Sequence, residues 1–171
     1  MPDDLPFRCV TGYPPHASGP AAIARLLDGL GFRFYWATEG LAAEHYGFTP
    51  GSSCMRIGEL VGHIWGLTNW VYIAVFGQGE PRPADALGQR SHILDMLHRL
   101  RERFASLSDA ELEAIAIDGR PFWHLLNGPL ADALTHVGQI NVFRRLAGAP
   151  ARRSQPFTCT PPDEEDEPGG Q

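Results

Sequence analysis

The chain has 171 residues, 43% of them apolar, which suits one domain with a core of its own. Its net charge of −6 is uneven: the run DEEDE at 163–167 carries five acids and no base, which leaves the remainder near −1. With so little net charge and no basic field, the body offers nothing to nucleic acid or to an anionic membrane surface. No stretch approaches the roughly 20 apolar residues of a membrane span.

The N-terminal MPDDLPFRCV holds two acids and no long apolar stretch, unlike a secretory signal. Cys9, Cys54 and Cys159 are odd in number, widely spaced and free of any CxxC, and read as reduced thiols of a cytoplasmic protein. Residues 1–19, rich in Pro and Gly, form an irregular arm. SGP at 18–20 is a helix start, a small cap followed by Pro in the first turn. Ile23, Leu26, Leu27, Leu30, Phe34, Ala37 and Leu41 then recur every three or four residues, the stripe of a first helix.

YGFTPGSS at 46–53 breaks that helix, and a second starts near Met55 with Ile57, Leu60, Ile64, Leu67, Val71 and Val75 on one face. GQGEPRP at 77–83 ends it with a short connection. A third helix spans about 84–107, striped by Ile93, Leu97, Leu100, Phe104 and Leu107. SDAE at 108–111 is a capping box, Ser108 answered by Glu111, and opens a short extra helix. IDGRPFWHLLNGP at 117–129 reads as a loop with one helical turn. The fourth long helix begins near Pro129 and stops at Gly148 before Pro150. Residues 151–171 form an acidic, proline-rich tail without periodicity. With no convincing strand, the whole reads as an all-α four-helix bundle over 20–150. The unequal connections favour a non-uniform up/down order.

Three polar residues interrupt the apolar stripes. On the fourth helix, Asp132 and His136 stand at i and i+4, about 40° apart on the helical wheel, with Phe143 about 20° from Asp132. They share one edge of the buried face and are close enough to bind one ion together. On the second helix, His63 lies among Leu60, Ile64 and Leu67. Two facing helices could bring these side chains together as a two-histidine, one-carboxylate set with open positions, a common arrangement for a catalytic divalent metal. The plainer reading is a set of hydrogen-bonded polar residues in a core.

MRIGELVGHIWGLTNWV (55–71) and LTHVGQINVFRRLAGAP (134–150), preceded by GFRFYWATEGL (31–41), resemble the DinB-like superfamily over about 20–150. The resemblance implies a four-helix bundle, often a homodimer, with a divalent metal (Zn, Ni, Mn or Fe) in many members. Such members act on small molecules, some through a low-molecular-weight thiol. One metal-binding His on helix two and an HxxxH pair on helix four correspond here to His63, Asp132 and His136. Asp132 departs from the pattern, which has a third His there. A carboxylate still binds these metals. The alternative is a non-catalytic dimeric bundle, a binding or scaffold protein with a relic site.

Other polar residues are weaker candidates. Gln139, about 20° from Asp132, suits a partner of a metal ligand, or a helix–helix or dimer hydrogen bond. Asn141 flanks the same motif. Arg144 and Arg145 suit helix-end carbonyls or acids. Glu59 would orient His63 or cap its helix. His16, His45, His92 and His98 read as surface residues, and His124 as the lining of a mouth. Trp65, Trp70, Trp123, Phe122 and Tyr35 read as packing. Cys54, just before helix two, is a weak candidate for a thiol nucleophile. The chain has no GxGxxG, GxxxxGK[ST], GxSxG or HExxH, which sets aside phosphate-cradling and serine-nucleophile chemistry.

Overall fold

A computed structural model describes residues 5–10 and 12–152. The acidic run at 163–167 and Cys159 lie outside these residues. Four long helices carry the fold: α1 (Gly19–Thr38), α2 (Ile57–Phe76), α3 (Ala86–Ala105) and, after the smaller elements described next, α6 (Ala131–Leu146). Between α3 and α6 lie a short helix α4 (Asp109–Glu113), a two-residue hairpin β1 (Ala116–Ile117) and β2 (Arg120–Pro121), and a helical turn α5 (Trp123–Leu125). No helix of the described residues is long and apolar enough to cross a membrane.

The helix starts follow from their caps. The Ser18 hydroxyl accepts from the N–H of Ala21 at 3.2 Å, and the Asp85 carboxylate accepts from Gly88 at 2.7 Å. Ser108 and Glu111 form the reciprocal box expected at α4. The stripes face inward: Leu27, Leu30, Phe34, Leu60, Ile64, Ile93, Leu97, Leu100 and Phe104 are all within 1% of full burial. The arm is irregular but not detached. Phe7 and Val10 are buried, and a Cβ at Gly31 would collide with the Phe7 ring, so only glycine lets the arm close on α1. Cys9 is disulfide-bonded, which corrects the reading of every cysteine as reduced; Cys54 is free and exposed.

Side-chain pairs fix the helix directions. Trp65 meets His92 and Tyr72 meets Arg99, so α2 and α3 advance together and run parallel. Thr38 meets Arg90 and Asp28 meets Arg101, so α1 and α3 run antiparallel. Arg144 near the end of α6 bonds the last carbonyls of α1, so these two helices finish at the same end of the bundle. That is the end at which α2 begins, and α6 therefore runs antiparallel to α2. The non-uniform order holds, but the connection at 77–85 is not a short hop between neighbouring ends. It runs back along α2. The Glu80 N–H donates to the Asn69 Oδ1 at 2.8 Å, and Arg82 lies over the Trp65 ring.

The segment at 117–129 holds more structure than a loop. Asp118 and Gly119 both have positive φ, 48° and 73°, the backbone of a tight two-residue hairpin turn, and Ile117 pairs with Arg120. This small hairpin corrects the expectation of no strand. From Trp123 the chain is helical, and it kinks at Gly128 (φ −101°, ψ −109°) before Pro129 and Leu130 lead into α6.

Candidate metal centre

The three polar residues picked out on helices two and four meet across the seam between α2 and α6. His63 Nε2 lies 3.2 Å from Asp132 Oδ2, and His136 Nε2 lies 3.3 Å from Asp132 Oδ1. The two imidazoles stand edge to face, 4.7 Å between centroids at 86°. One donor atom from each residue falls within 4.8 Å of the other two, and this is the group of such donors that the described residues bring together.

Local structure explains the placement. His63 sits on α2 between the fully buried Leu60 and Ile64, so the core on either side fixes its helix face. Asp132 occupies the first turn of α6, where the positive end of the helix dipole favours a carboxylate. His136 follows one turn later on the same edge. The seam is not core. The His63 and Asp132 side chains are 42% and 46% exposed, and only His136, at 15%, is largely covered. A ligand could thus reach the cluster from solvent.

The donors fit a divalent cation. Ligand bonds of about 2.0–2.2 Å in a tetrahedral site place neighbouring donor atoms about 3.3–3.6 Å apart. The two Nε2···Asp132 contacts, 3.2 and 3.3 Å, are near that spacing but run to different carboxylate oxygens. With one atom from each residue the set lies within 4.8 Å, so the side chains would draw together around an ion. Two neutral imidazoles and one carboxylate are a mixed nitrogen and oxygen set that suits Zn, Ni, Mn or Fe. With only three protein donors, coordination positions remain for water or substrate.

The remaining candidates fall into place around this cluster. Gln139 Oε1 lies 2.7 Å from His136 Nδ1, so it bonds within α6 rather than bridging helices. The Glu59 carboxylate accepts from the Arg56 N–H at 2.7 Å; it caps α2 and does not orient His63. Arg144 is 97% buried and donates to four backbone carbonyls, those of Trp36, Ala37, Glu39 and Ala149. Burial pulls its guanidinium below the usual value, yet the carbonyls at the end of α1 compensate the charge.

His92 is more than a surface residue: its Nδ1 accepts from the Trp65 indole at 3.3 Å. His45 Nδ1 accepts from the Ala42 N–H, and His124 lies 2.7 Å from Arg120. None of them joins the triad. Trp65, Phe122 and Tyr35 are buried as expected, but Trp123 is 62% exposed. A cavity of about 430 Å³ lies apart from the triad, between the arm and α1 and α3, lined by Tyr13, Arg25, Asp28 and Arg101. Comparison with protein-family models, with curated proteins and with solved structures finds no match for this chain.

Proposed function

We propose that the protein is a divalent-metal-dependent enzyme of the DinB-like type, with His63, Asp132 and His136 as the metal ligands. The observation that carries this reading is the convergence of three donors, from two antiparallel helices, on a seam open to solvent. A bound divalent cation supplies Lewis acidity that lowers the pKa of water or of a small thiol, for transfer to an electrophilic small molecule. The two imidazoles would hold the ion and add no charge, while Asp132 would neutralise half of a dication. So loaded, the site would keep net positive character toward an incoming anion. Gln139 anchors the far side of the His136 ring. The same resemblance carries a homodimer, which light scattering of the purified chain would test.

Metal content decides the reading. Protein from a metal-supplemented preparation should carry a divalent ion that disappears in His63→Ala and in His136→Ala, measured by elemental analysis. Metal-free wild-type protein would overturn it.

One observation favours a second reading. Each Asp132 oxygen already faces one imidazole, and His136 Nδ1 already has Gln139, so the trio is close to satisfied without an ion. A non-catalytic bundle would need nothing more. That reading predicts a melting temperature indifferent to chelator, whereas a bound ion stabilises only the state that holds it.

A further inference from the structure

His136 has two ring nitrogens in very different contacts. Nδ1 lies 2.7 Å from Gln139 Oε1, the length of a strong N–H···O hydrogen bond. Nε2 lies 3.3 Å from Asp132 Oδ1, longer than the roughly 2.7–2.9 Å of a charge-assisted N–H···O⁻ bond. The ring proton belongs where the contact is short. An amide oxygen is an acceptor only, so the nitrogen facing it must carry the hydrogen. The Nε2 lone pair is then left pointing at the cluster.

The geometry assigns Gln139 as the positioning residue that holds His136 as its Nδ1–H tautomer and so makes Nε2 the metal-binding nitrogen; this rests on the metal reading above. Three features support the assignment beyond the distance. Gln139 is on the same helix, one turn beyond His136, so α6 itself sets the approach and no loop has to close. His136 is the most covered of the three ligands, and its ring cannot turn to water for a partner as readily as that of His63. Both histidines face Asp132 through Nε2, at 3.2 and 3.3 Å, and His136 is the one whose second nitrogen also meets a protein acceptor. A ligand histidine anchored through its second nitrogen loses less ring freedom on binding and keeps the correct nitrogen free.

The test uses the full chain and two variants. Gln139→Leu removes the acceptor while keeping a similar shape, and Gln139→Glu restores an acceptor at the same place. Zn(II) affinity, measured by competition with a chromophoric chelator, should fall about 10- to 100-fold in Gln139→Leu, the usual cost of losing such a partner, and recover in Gln139→Glu. Melting temperatures of the metal-free proteins should stay close together, which separates positioning from a structural role.

Long-range ¹H–¹⁵N correlation of the metal-free wild type should show His136 protonated at Nδ1, with that signature weakened in Gln139→Leu. Unchanged Zn(II) affinity in Gln139→Leu, or an unprotonated Nδ1 in the wild type, would overturn the assignment. A wild type that binds no Zn(II) sinks the metal reading instead, and the ring signal of the metal-free protein then still decides whether Gln139 holds the Nδ1 proton.

Discussion

The bundle holds two polar clusters, and they are built on opposite principles. At the end where α1 finishes, Arg144 and Arg90 are 97% and 95% buried. Their donors go to fixed acceptors: backbone carbonyls for Arg144, and Thr38 and Glu39 for Arg90 at 2.8 and 2.7 Å. Across the α2–α6 seam, His63, Asp132 and His136 are partly open, and the contacts among them are longer. The first cluster ties helix ends together, and giving buried donors fixed acceptors is its role. The second gains little stability from exposed ion pairs, so stability is a poor reason for its geometry.

The largest effect should come from the arginine end. Arg144→Met leaves four carbonyls without their donor in a buried place and should cost about 3 kcal/mol or more in urea denaturation. If folded protein of this variant binds metal as the wild type does, the two clusters are independent. If binding also fails, the two clusters are coupled and are not built on separate principles.

Next comes the ion itself. Excess divalent metal at about 100 times Kd should raise wild-type stability by about 2.7 kcal/mol and leave His136→Ala unmoved. Thermal melts with and without chelator read both. In chelator, His63→Ala should cost under about 1 kcal/mol, as expected of a half-exposed pair. A larger loss would mean that the seam is structural after all.

The smallest effect is a pH dependence at the crossover, the 77–85 connection that runs back along α2. The Arg99 guanidinium, 2.8 Å from Glu80, holds the Glu80 carboxyl below its usual value, with a further hydrogen bond from Tyr72. A carboxyl depressed on folding contributes stability that is present above its unfolded pKa and is lost as pH falls through the folded one. Glu80→Gln should therefore melt slightly below wild type at neutral pH, with the gap closing under acid conditions. A gap that persists in acid would remove this ion pair from the account of how the crossover is held.

Much of this architecture was legible in the sequence because helical stripes and caps are local signals. Ser18 and the Ser108–Glu111 box mark helix starts, and the stripes of α1 to α3 name the core; α3, read from about residue 84, starts at Ala86 behind an Asp85 cap. The meeting of His63 with Asp132 and His136 was legible as polar interruptions of those stripes. The direction of α3 was not. Nine residues at 77–85, fully extended, reach about 30 Å. That matches the length of a 20-residue helix, about 30 Å as well. Loop length alone could not tell a neighbouring hop from a return along the bundle. The hairpin at 116–121 was signalled by Asp118-Gly119, but its strands are too short to show alternation. Arg144 read as a partner of helix-end carbonyls, which it is, but its burial and its reach to the end of α1 leave no mark in sequence. Gln139 was visible by position, and only the 2.7 Å contact distinguishes a partner of His136 from a bridge to another helix.

The central claim is most directly tested by elemental analysis of the wild-type chain beside His63→Ala and His136→Ala, all purified from metal-supplemented culture. The account predicts about one divalent ion per wild-type chain and almost none in either variant. A wild type without metal, or variants that retain it in full, would contradict it.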